Sequence, residues 1–286
     1  MGQKDLRGKL LEDYEDVFSD IFNGLLFKER VIEERYLKSE TTESVYKAET
    51  GNLRGQLRDV IKEYGNSCML EIGSLGIENQ STYDKYIPVR VMGYDYAKYR
   101  SQMDKKKEVL LPVITIVLNF SEKKWKDTKS LHSIMSIPDK FKPYTQDYQV
   151  KVYDIAFLED EVIERFNSDF KLVVKIFKNK RLKRMELFGE EKIKHIEEFM
   201  DFLAVFTDDR RYQEIKKELM SIEKERGEIT MCTVAQALEE KGRILQLMEL
   251  VESGDLTLQR AAEKANMTVE EFKEKVRDND MNFHNN

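Results

Sequence analysis

Leu75-Gly76-Ile77-Glu78-Asn79-Gln80-Ser81 is a short apolar lead that delivers a carboxylate and, two residues later, an amide. In a strand, alternate residues project from the same face, so Glu78 and Gln80 point together while Asn79 turns away. Gly73 and Gly76 bracket Ser74-Leu75 and predict a kink or bulge where another segment approaches the backbone closely. Upstream, Leu57 to Ile61 reads as a short strand carrying Asp59, Tyr64 to Ser67 as a turn, and Cys68 to Ile72 as a second strand. Asp59 and Glu78 are 19 residues apart, with a turn and an apolar strand between them, enough to bring both carboxylates to one end of a hairpin.

Downstream, Pro88 suits the first turn of a helix that continues from Val89 to Met103. Val89, Met92, Gly93, Tyr96, Tyr99 and Met103 share a helical face that reads as core, its tyrosines in preference to a phosphate-facing surface. The opposite surface offers Arg90, Lys98 and Arg100, followed by Lys105, Lys106 and Lys107. Val109 to Phe120 is a near-continuous apolar run and reads as a central strand, so a β-α-β crossover precedes it. Val150 to Leu158 and Phe170 to Phe177 are further strand candidates, the latter also readable as a helix end. Lys178, Lys180, Arg181, Lys183 and Arg184 then form the densest basic cluster. Strands alternating with helices predict an α/β fold.

At the N-terminal side, Tyr14, Val17, Phe18, Ile21, Phe22, Leu25 and Leu26 recur at helical spacing, with Asp13, Asp16, Asp20 and Asn23 along the flank. Lys38 to Thr50 reads as a polar loop. From Glu190 onward the pattern is helical: Ile193 to Phe206, Arg211 to Arg226 and Cys232 to Val251. Gly254 ends the third of these, Thr257 caps a further helix, and Thr268 with Glu271 forms a capping box for a last helix through Val276. The order resembles a helix-turn-helix, but Val269-Glu270-Glu271-Phe272-Lys273-Glu274-Lys275 places acids where a major-groove reader needs Arg, Lys, Asn or Gln. An interaction or oligomerisation region fits better, and the chain divides into residues 1–210 and a helical region over 211–286.

A chain of 286 residues, 41% apolar and 36% charged, buries a core and is not disordered throughout. The longest apolar run is too short to span a bilayer and no signal segment opens the chain, so a cytoplasmic location is expected. Cys68, Cys232 and the histidines at 132, 195 and 284 draw no thiolate or imidazole cage. Any metal must therefore be held by carboxylates, which points to magnesium, manganese or calcium. With a net charge of −6, nucleic-acid binding depends on local basic patches.

Asp59 followed by Glu78-x-Gln80 resembles the Asp, then Glu-x-Lys pattern of the PD-(D/E)XK nuclease superfamily, with glutamine in the lysine position. Phe18-Ser19-Asp20-Ile21-Phe22-Asn23, Arg58-Asp59-Val60, Gly76-Ile77-Glu78-Asn79-Gln80, Pro88 through Tyr96 and Tyr99-Arg100 look, in that order, like the recombination-promoting nuclease/putative transposase family. The resemblance covers roughly residues 13 to 210. It implies a restriction-endonuclease-like mixed sheet flanked by helices, followed here by the all-helical extension, and a metal-dependent DNA endonuclease. Asp59 and Glu78 become ligands of Mg²⁺ or Mn²⁺, joined by the Asn79 carbonyl, Gln80 takes the lysine's position, and Asp20 matches an acid that supports the site. Arg90, Arg100, Lys105, Lys106, Lys107, Lys180 and Arg181 are the candidate DNA contacts. Two departures stand out: Gln80 adds no charge, and Asp59 is not preceded by proline. A catalytically silent relative that binds DNA or a protein partner, or a homo-oligomer joined through the C-terminal helices, is compatible with the same residues.

Overall fold

The computed structural model describes residues 11–27, 29–40, 43–47, 53–57, 59–66, 70–184 and 189–283. The chain divides into two units, Met1–Met185 and Glu186–Asn286. In the first unit, α1 (Glu15–Leu26) buries Val17, Phe18, Ile21 and Phe22 on the face its periodicity predicts. Five strands then form one mixed sheet: β1 (Leu37–Ser39), β4 (Val60–Asn66), β5 (Leu70–Gln80), β6 (Val113–Asn119) and β7 (Lys151–Asp154), adjacent in that order. The pairings β1 to β4 and β4 to β5 are antiparallel, and β5 to β6 and β6 to β7 are parallel. A separate hairpin joins β2 (Glu43–Lys47) to β3 (Leu53–Leu57). Much of the stretch expected to be a loop between Lys38 and Thr50 is thus strand, with Thr50 itself outside the described residues.

Asp59 does not lie within a strand as expected. It occupies a bend between the end of β3 and the start of β4. β5 is one continuous strand of 11 residues that passes through both glycines. Of the segments expected before it, Ser67 and Cys68 lie outside the described residues. The glycine pair does mark a bulge: Lys62 pairs with Leu75 but Tyr64 pairs with Ile72, so β5 uses one residue more than β4 around Gly73-Ser74. Both Gly73 N and Ser74 N donate to the Pro112 carbonyl, at 2.9 and 3.2 Å.

Between the parallel strands β5 and β6 runs α2 (Ile87–Asp104), with Pro88 in its first turn. Its buried face is Ile87, Val91, Tyr94, Asp95 and Gln102. Val89, Met92, Tyr96 and Met103, expected inside, are exposed. The reversal follows from specific polar partners. Asp95 accepts from Thr115 Oγ1 at 2.5 Å and from the Tyr148 hydroxyl, and the Gln102 amide bonds Leu111 N and O at 2.7 and 3.1 Å. Polar groups so matched can be buried without a desolvation penalty large enough to turn the helix over.

β6 is the central strand expected, with Ile116, Val117 and Leu118 fully buried. Phe170 to Phe177 is helix, not strand: α3 (Asp160–Ile163) is followed by α4 (Phe170–Leu182), in which Phe170, Val173, Val174 and Phe177 fall on one helical face. A run rich in Phe and Val carries β preference by composition, and tertiary packing overrides it here.

The second unit holds α5 (Ile196–Thr207), α6 (Arg211–Arg226), α7 (Met231–Glu252), α8 (Leu258–Ala265) and α9 (Val269–Phe283), with a short strand pair, β8 (Lys192–Ile193) and β9 (Ile229–Thr230). The predicted punctuation is present. Gly254 has φ 81°, Thr257 Oγ1 accepts from Arg260 N, and Thr268 and Glu271 exchange backbone-to-side-chain bonds at 2.8 and 3.2 Å. Ala261, Ala262 and Phe272 pack with Ile244 and Leu247 to close α7, α8 and α9 into one cluster. Among the described residues, no helix is long and apolar enough to cross a membrane.

The bulge yields a direct test. A Cβ on Gly73 would stand 2.8 Å from Leu111 Cβ and 2.9 Å from Gln102 Nε2, whereas one on Gly65 meets nothing within 4 Å. Gly73→Ala is expected to destabilise by about 1–3 kcal/mol and Gly65→Ala to be neutral or slightly stabilising, as read by urea denaturation.

Candidate active site

The parallel strands end side by side, Gln80 of β5 opposite Asn119 of β6 and Asn119 opposite Asp154 of β7. Strand alternation sends Glu78 and Gln80 to the α2 face, where Gln80 Nε2 donates to Glu78 Oε1 at 3.1 Å. Asn79 faces the other way, and its Nδ2 donates to Glu12 Oε2 at 2.5 Å. Because β4 runs antiparallel to β5 with Val60 opposite Ile77, the bend just before β4 lies beside the end of β5. Asp59 Oδ2 accepts from Asn79 N there, at 2.6 Å. The two acids are thus carried to the same strand end by hairpin register.

The main chain of β5 has a side as well as a face. Gln80 O accepts from Phe120 N, so Gln80 is turned toward β6, and Asn79, one residue earlier, is turned toward β4 and Asp59. The N–H and C=O of one strand residue leave on the same side, so the Asn79 carbonyl points into the space Asp59 borders. Carboxylate and carbonyl oxygens of this kind suit a hard divalent cation, and magnesium takes only one or two protein carboxylates. Among the described residues, no group of three or more His, Cys, Asp or Glu forms a fuller cage.

Glu78 is 1% exposed and meets a guanidinium: Arg90 Nη2, from the first turn of α2, donates to Glu78 Oε1. Arg90 also reaches Asp84 Oδ2 at 3.0 Å and the Tyr94 hydroxyl at 3.4 Å. Burial pulls the Arg90 pKa down, but the Glu78 carboxylate, helped by Tyr94 and Asp84, more than offsets this and holds it above the ordinary arginine value. Tyr94 is pushed up to about 12 by burial and then by Glu78, with a smaller push from Asp59 and an opposing pull from Arg90. The phenol therefore stands in the field of both acids and stays neutral.

The remaining sequence candidates lie elsewhere. Asp20 Oδ2 accepts from Asn167 N, Ser168 N and Ser168 Oγ, all within 2.8 Å, and so fixes the turn that leads into α4. Arg100 pairs with Asp104 on the helix surface. Lys105, Lys106 and Lys107 are exposed at the far end of α2, about 22 Å along the axis from Arg90. Lys180 reaches Glu122 at 3.8 Å, and Arg181 donates to the Ala156 carbonyl and stacks on Phe157. Glu12, fully buried against Asn79, is the acid that the sequence reading passed over. No local pattern marks it.

A five-stranded mixed sheet flanked by helices, with carboxylates at its strand ends, defines the first unit as an α/β domain. Residues 74–206 match the family model described as putative transposase, YhgA-like. The match spans a little under half the chain, taking in Glu78, Gln80 and Arg90 but not Asp59. No curated protein and no solved structure matches the chain.

Two measurements probe this geometry. Arg90→Ala strands a buried carboxylate and is expected to cost about 3 kcal/mol in urea unfolding, the low end for such pairs because the Arg90 side chain is 36% exposed; Arg90→Lys recovers part of the loss. The Tyr94 phenol is held neutral in the fold, so its contribution is complete below pH about 10 and lost as pH rises toward about 12. A Tyr94→Phe variant should accordingly show a shallower alkaline loss of stability than the wild type across that window.

Proposed function

We propose that the chain is a metal-dependent DNA endonuclease that hydrolyses phosphodiester bonds, in keeping with a family linked to recombination and mobile elements. The observation that supports this reading is that Asp59 accepts from the N–H of Asn79, the residue after Glu78, so that both acids stand at the same end of β5. Asp59, Glu78 and the Asn79 carbonyl would hold Mg²⁺ or Mn²⁺, with Glu12 steadying the Asn79 side chain. When bound, the cation supplies charge against the phosphate and lowers the pKa of an attacking water.

The protein's own groups divide the remaining work. Gln80 orients the Glu78 carboxylate through its amide. Arg90 brings to that carboxylate the positive charge that glutamine lacks, and its guanidinium, engaged by Glu78 and Asp84 but partly exposed, would meet a phosphate as a charge. Arg90 thus moves from a surface DNA contact to a member of the site. Arg100, Lys105 to Lys107, Lys180 and Arg181 would at most hold DNA further along its backbone, and α7 to α9 would serve self-association.

The same Arg90 favours a second reading, a catalytically silent DNA-binding or interaction module, because a guanidinium already neutralises Glu78. Plasmid nicking with Mg²⁺ or Mn²⁺ separates the two. Under the endonuclease reading, Asp59→Ala and Glu78→Ala each lower the nicking rate at least about 100-fold, and Arg90→Lys retains more activity than Arg90→Gln. Nicking that survives both acid substitutions removes the assignment, and no nicking by the wild type with either metal favours the silent module.

A further inference from the structure

We propose that the crossover between β6 and β7 is a stacking platform for the unpaired bases of a DNA strand. This rests on the reading that the substrate is DNA, and it adds the form in which DNA is engaged. The crossover spans residues 120–150 with no helix beyond three-residue turns, a length that in an ordered domain marks a functional loop. It holds six lysines against four acids, a cationic excess in a chain of net charge −6.

Its base is built into the site end of the sheet. Asn119 Nδ2 donates to Asp154 Oδ1 at 2.7 Å and to the Lys123 carbonyl at 2.9 Å, and Trp125 N donates to the same Asp154 oxygen. Trp125 is buried with Ile87, Val91, Val117 and Val150. Tyr83, three residues beyond Gln80, packs on the Trp125 ring at 5.2 Å and bonds Thr128 through its hydroxyl at 2.6 Å. The loop therefore rises beside the residues that link Glu78 to Arg90.

Its tip is ordered and turned outward. His132 Nε2 meets the Thr145 carbonyl at 2.8 Å, Thr145 Oγ1 donates to the Phe141 carbonyl at 3.0 Å, and Tyr144 N donates to the same carbonyl at 3.0 Å. On this frame Phe141 is 63% and Tyr144 83% exposed. Phe141 caps the 3-10 turn Lys142–Tyr144, and positions three apart in such a turn eclipse, so both rings originate on one side about 6 Å apart. Lys140 and Lys142 alternate with the rings, and among the described residues no carboxylate pairs with either. Rigid, uncovered aromatics interleaved with free cations are what a single strand uses, through stacking and phosphate contact, and a duplex interior cannot offer its base faces to them.

Fluorescence anisotropy on the full chain in EDTA, with labelled oligo(dT) and with a duplex of equal length, tests this without cleavage. Phe141→Ala/Tyr144→Ala, which removes only exposed side chains, is expected to weaken oligo(dT) binding at least about tenfold and duplex binding less than about twofold. Lys140→Gln/Lys142→Gln should weaken both and flatten the salt dependence. Failure of the wild type to bind oligo(dT), or equal loss of strand and duplex in the aromatic double variant, overturns the proposal. Plasmid nicking by a protein that shows no ring-dependent strand binding would overturn this inference and leave the endonuclease reading standing. Ring-dependent strand binding without nicking would support it and remove the endonuclease reading.

Discussion

A carboxylate with 1% exposure must be neutralised where it lies, and the charge that neutralises Glu78 arrives from α2. That requirement ties the end of the central hairpin to the helix that follows it. It also fixes how the helix is rotated: with Arg90 and Tyr94 turned toward Glu78, Val91, Asp95 and Gln102 must meet the sheet. Val89, Met92, Tyr96 and Met103 are then left in solvent. The exposed stripe is thus the complement of the buried charge.

A second buried charge works by a different balance. Lys62 of β4 is fully buried, and its ammonium meets Asp13 at 2.9 Å, Glu15 at 3.3 Å and Ser39 Oγ at 2.9 Å. Its acids remain about half exposed, so they keep much of their hydration while the lysine has given up its own. The cluster joins the start of α1 to β1 and β4 and so holds the chain around Glu12 near Asn79. Glu78 with Arg90 reverses this arrangement, since there the acid is interior and the cation partly wet.

Much of this was legible in sequence because it depends on period and punctuation. α1, β6, the Gly73 bulge, the bounds of α6 and the Thr268 capping box follow from local rules that the structure obeys. The facing of Glu78 and Gln80 against Asn79 follows from strand alternation alone. What local pattern does not hold is the identity of partners far along the chain. The face of α2 is not legible locally because Asp95 and Gln102 look like surface residues until Tyr148 and Leu111 are placed beside them. Phe170 to Phe177 looked like strand because composition outweighed spacing, Asp20 carries no sign that it will bind the turn at Ser168, and Glu12 none that it will reach Asn79.

The bulge at Gly73-Ser74 has one more effect, on phase. Along a strand every residue added or removed exchanges the two faces for everything beyond it. The extra residue lets β5 keep its antiparallel partnership with β4 on one side of the bulge while presenting Glu78, and not Asn79, to Arg90 on the other. The glycine that accommodates the step next to Leu111 therefore acts as a parity switch. It decides at a distance of five residues which of two neighbouring side chains, one ionised and one neutral, stands in the site.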